Sequence, residues 1–416
     1  MADGDVGGPT RPAGPVSRLS AALGARWWIQ VLLLFAGSRV VSTVILLAFA
    51  SVQGATPWTA PQPDLASYST IWDGVWYRYI AAAGYPLDIP RDADGFAREN
   101  AWAFLPAYPA LVRLLMAVTF LPYEVAAVVV SIACGAGAAV LFNRLMHRTL
   151  PHGALFATAV FCFAPTSVVL QLGYAESLQL LLVFLALHLL LERRYLLIVP
   201  VMAALAFVRP GALAVALVLA MHAIHRWVIR ARDPFPPREM VALVVSGLAT
   251  AALGFAWLFV AALVTGEPHA YIDTELAWRA AYVGHDDLMP FSPWLVGFQW
   301  WARFLGIDGA AAWIVGPAVL VVLLIAWAAT LVSPAAKRLG VDLRLWLVSY
   351  SVYLLAVFFP QTSTFRLLMP LAPGLGMAAL PRSRVYRGGL IVVCTVLQVI
   401  WVWRCWYVDG SDWTVP

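Results

Sequence analysis

The sequence predicts an all-α polytopic membrane protein, and three observations carry that expectation. Hydrophobic residues make up 62% of the 416 positions and charged residues only 12%, whereas soluble domains run near ~25% charged. Apolar runs of about the length needed to cross a bilayer, ~20 residues each, recur along the chain. The charges between those runs sort into two sides, with Arg concentrated on one of them. Mean hydropathy is +0.81. The net charge of +5 therefore speaks through its placement and gives no reason to expect a nucleic-acid partner.

The first run, from Trp27, follows Arg18 and Arg26 and is trailed by the small-residue stretch "AFASVQGA". A secretory signal has that order, but this run is longer than a signal core and carries Arg39, so it is read as a retained span after a cytoplasmic tail, residues 1 to 26. Ten further spans follow at about 123 to 143, 153 to 172, 174 to 192, 195 to 209, 210 to 225, 240 to 264, 310 to 332, 345 to 360, 367 to 380 and 388 to 407, the first being 27 to 52. About 11 transmembrane helices result, in one domain from 27 to 416. "FLPAYPALVRLLMA" (Phe104 to Ala117) is left out as a loop helix dipping into the interface, because Pro106, Pro109 and Arg113 fit poorly in lipid.

With the N-terminus inside, the inner segments hold 17 of the 27 basic residues and 6 of the 22 acids, a net of +11. The outer segments hold 9 basic and 16 acidic residues, a net of −7. That is a strong positive-inside bias. Two long loops, 53 to 122 and 265 to 309, then face away from the cytoplasm, as does the C-terminal tail. The near-absence of lysine, Lys337 alone, is a mark of GC-rich bacterial coding.

Cys134, Cys162 and Cys394 fall inside apolar runs and Cys405 near the end of the last, with no pairing or metal-ligand spacing. Ser131, Gly135 and Ala139 read as a close helix-packing stripe. "DADG" (Asp92 to Gly95) begins like a calcium loop, but Phe96 stands at the third ligand position, leaving a solvated turn. "GHDD" (Gly284 to Asp287) is read as an exposed loop. His269 and His285 are too few for a metal cluster. The expected chemistry uses no metal and no cofactor.

The first outer loop contains "WDGVWYRYIAAAGYP", Trp72 to Pro86. Thr70 followed by Asp73 looks like a capping pair, Gly84 a C-terminal cap and Pro86 a stop, which predicts a short helix over 71 to 83. Asp73, Trp76, Tyr77 and Ile80 share one face, flanked by Trp72 and Tyr79. An aromatic-belt helix at the headgroups accounts for the tryptophans. It does not account for the carboxylate.

That stretch, with "ENAWAFLPAYPALVRLL" (Glu99 to Leu115), resembles the signature of the PIG-V family, membrane mannosyltransferases of the GT-C class. "FAPTSVVLQLGYAESLQLLLVF" (Phe163 to Phe184) is similar to the family's Tyr-x-Glu-Ser-Leu segment, "VRPGAL" (Val208 to Leu213) to its Arg-[Pro/Ser]-x-Gly element, and "QTSTFRLLMPLAP" (Gln361 to Pro373) to its C-terminal Ser-Thr-x-Phe-like segment. The resemblance implies a GT-C-like bundle with a large first extracytoplasmic loop carrying short interfacial helices. It also implies inverting transfer of a sugar, mannose above all, from a polyprenyl-phosphate donor to a glycolipid or cell-envelope glycan acceptor, outside a bacterial plasma membrane. The acceptor itself is left open, since a bacterium makes no GPI anchor.

Such a transfer needs a base behind the acceptor hydroxyl and cations on the departing phosphate. Asp73 is the candidate base. Arg39, Arg209 and Arg366 are the candidate phosphate ligands, Arg39 halfway along a span where a lone charge needs a partner. Arg209 and Arg366 sit at outer span ends, where snorkelling to headgroups is the competing reading. Glu176 either orients sugar hydroxyls, pairs with an arginine, or is an ordinary helix-start acid; Trp72, Trp76, Tyr77, Tyr174 and Gln361 complete the expected sugar and acceptor surface. A transporter or flippase of lipid-linked sugars is the alternative class, but it calls for ionisable residues along a midplane path, and here most acids lie in outer loops.

Overall fold

A chain this apolar has to satisfy its backbone polar groups internally, and helices do so within one segment. The computed structural model describes residues 26–285 and 289–409, and among these there is no strand beyond an isolated bridge between Arg91 and Ala97. The principal helices begin with α1 (Trp27–Ala50), α2 (Asp73–Ala83), α3 (Ala107–Thr119), α4 (Tyr123–Thr149), α5 (Ala154–Phe163), α6 (Glu176–Leu191), α7 (Ile198–Leu205) and α8 (Ala212–Val228). They continue with α9 (Pro237–Leu253), α10 (Ala256–Thr265), α11 (Ala270–Val283), α12 (Ser292–Phe304), α13 (Ala310–Val332), α14 (Val341–Val357) and α15 (Arg384–Trp401). By length and composition α1, α4, α9 with α10, α13, and α15 with its π-turn extension to Trp406 can each cross a membrane.

The interior is built around α6, which is apolar on all sides and buried over most of its length, as expected of a helix without a polar face. It packs on α4 through small residues. A Cβ on Gly137 would come within 2.9 Å of Leu181 Cδ1 of α6, and one on Gly135 within 3.0 Å of Phe35 of α1, which also packs on α4. Ser131 and Ala139 are fully buried beside them, so the stripe is a packing device.

Two expected spans are interrupted. The run 153 to 172 is helical only as far as Phe163; Ala164 turns extended ahead of Pro165 and a short 3-10 turn, Ser167–Gln171, follows. A residue before proline is driven out of the helical region, which explains the stop. The run 367 to 380 is a 3-10 stretch, Met369–Gly374, with Pro370 and Pro373 in it, then the four-residue helix Leu375–Ala378. The excluded segment does form a helix, α3, which buries Tyr108, Pro109 and Val112 and leaves Leu114, Val118 and Phe120 exposed.

The loop 53 to 122 is docked on the loop 265 to 309 and on α10: Asn100 Nδ2 donates to Thr274 Oγ1 at 2.9 Å, and the Trp257 indole donates to the Trp102 carbonyl at 3.0 Å. Among the described residues, every arginine–acid ion pair joins two groups that the charge count assigns to the same side: Arg148–Glu192, Arg193–Asp233 and Arg226–Glu239 at one end, Arg78–Glu124, Arg91–Glu267 and Asp73–Arg366 at the other. Packing and charge bias thus partition the loops alike. On a cysteine-free background, a cysteine at Ala93 should react with an impermeant thiol reagent from outside intact cells, and one at Arg232 only after permeabilisation. Labelling at 232 alone would invert the topology. The expected inner tail before Arg26, Asp286 and Asp287 of the "GHDD" loop, and the outer tail from Gly410 lie outside the described residues.

Candidate active site

The helix α2 begins differently from its predicted form. Thr70 does not cap it, since its hydroxyl donates back to the carbonyls of Ala66 and Ser67 at 3.1 Å. Trp72 occupies the N-cap position with φ of 58°. A left-handed conformation at a non-glycine residue costs on the order of 1–3 kcal/mol and persists only where its surroundings impose it. Here the Trp72 ring packs 4.5 Å from that of Trp58, and the Asp73 N–H donates to the Tyr174 hydroxyl at 3.2 Å. Below this turn the backbone of Gly173 is so close that a Cβ there would meet Thr70 Cγ2 at 2.7 Å. The strained entry leaves the Asp73 carboxylate out of helix capping and directs it into the bundle. The far end is as the sequence predicts, with Gly84 at φ 78° and Pro86 beyond.

Four charged side chains then form one chain of contacts. Arg366 Nη1 lies 2.5 Å from Asp73 Oδ2 and 2.6 Å from Glu176 Oε1, and Arg209 Nη1 donates to that same Glu176 oxygen at 2.6 Å. The order is Asp73–Arg366–Glu176–Arg209. Glu176 and Arg366 in its middle are 1% and 5% exposed at the side chain, whereas Asp73 and Arg209 at its ends keep 12% and 15%. The open ends are therefore one carboxylate and one guanidinium. Tyr174 lies under the middle, its ring centroid 4.9 Å from Arg366 Cζ. Burial works against the Arg366 charge, but Asp73 and Glu176 outweigh it and raise the guanidinium pKa.

Of the three arginines expected near phosphate, the structure brings two into the Asp73 cluster, Arg366 on Asp73 itself and Arg209 through Glu176. Arg39 belongs to another cluster: its Nη1 donates to the Ser167 carbonyl at 2.5 Å and its Nη2 to the Cys162 carbonyl at 2.8 Å. It satisfies the Cys162 carbonyl at the interrupted end of α5 and the Ser167 carbonyl of the 3-10 turn beyond it, a structural task for a buried cation. Glu176 takes the arginine-pairing role among the three readings open to it.

The aromatics divide as well. Tyr77 and Tyr174 are 2% and 0% exposed and lie beneath the ionic chain rather than at its open ends. Trp76 is half-buried, stacked on Phe104 at 5.7 Å and edge-on to Trp278 at 5.7 Å. Trp72 is buried in its contact with Trp58. Gln361, half-buried, donates to Ser363 Oγ at 3.2 Å and so braces the turn that delivers Arg366. "DADG" is an exposed turn in which Asp92 Oδ1 accepts from the N–H groups of Asp94 and Phe96.

One acid went unnoticed in the sequence. Burial pushes the Glu275 carboxyl above its ordinary pKa, against a hydrogen bond from Tyr271 and the charges of Arg209 and Arg279. Its α11 face repeats Tyr271, Glu275, Trp278 and Tyr282 at helical spacing, and Trp278 is the residue that meets Trp76. That periodicity within the long loop 265 to 309 was the available signal.

No family model matches this chain, and no curated protein does. Among solved structures, the chain is similar to an oligosaccharyltransferase from Archaeoglobus fulgidus, a crystal structure with a tethered acceptor peptide containing an NVT sequon. The TM-score is 0.46 at 10% identity, covering 92% of this chain and 56% of that one. This chain thus spans little more than half the length of that enzyme, and a likeness at this level bears on neither activity nor substrate.

Proposed function

We propose that the chain is a bacterial glycosyltransferase of the GT-C class, related to the PIG-V mannosyltransferases, that moves a mannose from a polyprenyl-phosphate donor to a lipid-linked or envelope-glycan acceptor at the outer face of the plasma membrane. The observation that carries this reading is the Asp73–Arg366–Glu176–Arg209 chain, two carboxylates and two guanidiniums meeting from four of the motif segments that resemble the family.

The chemistry follows from what those groups can do. The acceptor hydroxyl oxygen attacks the anomeric carbon of the donor sugar, the bond from that carbon to the phosphate oxygen breaks, the hydroxyl proton passes to Asp73, and polyprenyl phosphate leaves with the bonding electrons. Attack from the face opposite the leaving group inverts the anomeric centre. Arg366 pairs with Asp73 in the resting site; a phosphate competing for the same guanidinium frees the carboxylate to accept a proton. Glu176 keeps Arg366 and Arg209 together, and those two cations meet the charge growing on the departing phosphate. Because guanidiniums supply that positive charge, the transfer is proposed to need no metal. Trp76, Phe104 and Trp278 border the sugar, and membrane lipid receives the polyprenyl tail.

The test is to incubate the purified chain with radiolabelled polyprenyl-phosphate mannose and a membrane glycolipid extract. Label should move into a new glycolipid or glycan product, with polyprenyl phosphate released. Label that crosses the bilayer of proteoliposomes while remaining on the donor would overturn the transferase and support the transporter.

A further inference from the structure

At the end of the bundle opposite Asp73 lies a cavity of about 280 Å³, close to the lower limit of ~300 Å³ for small-molecule sites. Three separate segments wall it: the α4–α5 turn with Leu150, His152 and Gly153, the α13–α14 turn with Arg338, and the entry to α15 with Arg382 just before it and Arg387 in its first turn. Three guanidiniums and an imidazole face one space, with no Asp or Glu in its lining. Among the described residues no acid lies within ion-pairing distance of Arg338 or Arg382. Arg387 is held in place, its Nε donating to the Pro381 carbonyl at 3.0 Å and its Cζ lying 4.7 Å from the Phe156 ring centroid. The ten-residue helix α5 starts at the wall from Gly153, without a side-chain cap for its first N–H groups, and such a start favours an anion.

A positive-inside bias accounts for arginines spread over a face. It does not gather three of them from two segments, with His152 from a third, around one acid-free cavity. Phe, Tyr and Trp are missing from the lining, so nothing is set to stack a nucleobase. Leu155, Val341 and Val385, within three residues in sequence of lining positions, are 44%, 40% and 86% exposed, apolar surface on the same three segments that could meet acyl chains.

We infer that this cavity binds the phosphate of an anionic glycerophospholipid from the cytoplasmic leaflet. Arg338, Arg382 and Arg387 grip the phosphate oxygens, the start of α5 adds backbone N–H donors, and the acyl chains run over the apolar rim.

Retention of 1-palmitoyl-2-oleoyl phosphatidylglycerol by the purified full chain, followed by native mass spectrometry during a lipid titration, tests this without reference to any transfer reaction. One lipid should stay bound per chain, with the phosphatidylcholine analogue at least tenfold weaker. The Arg338→Ala, Arg382→Ala double variant should lose affinity by about tenfold or more, the scale of lost hydrogen bonds to charged groups. Both arginines are exposed, so its melting temperature should match the parent's, which separates a lost site from a lost fold. Arg384→Ala removes a neighbouring charge outside the lining and should retain the lipid. Equal loss in Arg384→Ala, or full retention in the double variant, would reduce the cavity to general surface charge. Displacement of the lipid by millimolar inorganic phosphate would overturn the lipid assignment in favour of a soluble phosphate.

Discussion

Asp73→Asn is expected to lower the rate of sugar transfer by about 10²–10⁴, the usual range for removing a general base, while lipid-donor affinity stays nearly unchanged. Asparagine keeps the shape, and Arg366 retains Glu176 as its partner at 2.6 Å, so folding should hold. Asp73→Glu carries the carboxylate about one methylene further and should also be poor, because alignment counts as much as basicity. Trp76→Ala should instead weaken binding or stability, since that ring packs against Phe104 and Trp278. The discriminating data are initial rates and donor affinities of the three purified variants. If Asp73→Asn transfers at a near-normal rate, Asp73 is only the far anchor of Arg366, and the base must be sought at another carboxyl of the site, Glu176 or Glu275.

Arg366 carries the second large effect, and it reports on stability and on binding at once. Arg366→Ala leaves Asp73 and Glu176 facing one another in a buried setting without the cation they share. Breaking a buried pair in this way costs roughly 3–5 kcal/mol. The double variant Arg366→Ala, Asp73→Asn should recover part of that loss, because the uncompensated charge has gone; a double-mutant cycle on melting measures the coupling. Arg366→Lys separates the two roles. It keeps the charge, so most stability should remain, but one ammonium must serve both carboxylates and the phosphate, and donor affinity should fall by about tenfold or more. Unchanged donor affinity in both the Lys and Ala variants would remove Arg366 from the donor site and leave it a purely structural ion.

Much of the architecture was legible because it rests on local quantities. Hydropathy finds a helix at most of the predicted spans, with 153 to 172 cut short and 367 to 380 reduced to 3-10 and a single short turn, and the arginine count splits the loops into the same two groups that the ion pairs join. The α2 helix was also readable, in its length, its shared face and its glycine stop. The signals for the two interrupted spans were present as Pro165, Pro370 and Pro373, and were outweighed by the apolar runs around them.

The amino-acid sequence by itself determined that this is a membrane-class helical protein, with sided loops and a few charged residues set in aromatic motifs. The tertiary structure alone decided which of those residues meet. Asp73 and Arg366 are 293 positions apart and Glu176 and Arg366 are 190, and no local pattern encodes a contact at that range. Arg39 shows the same limit, since a buried arginine requires partners but its own segment cannot say whether they are phosphate oxygens or the carbonyls of Cys162 and Ser167. Glu275 reads as a loop acid until α11 folds over the site and desolvates it. Hydropathy and helix propensity are properties of neighbouring residues, whereas ion pairing, burial and proton affinity depend on whatever packing brings within a few ångströms.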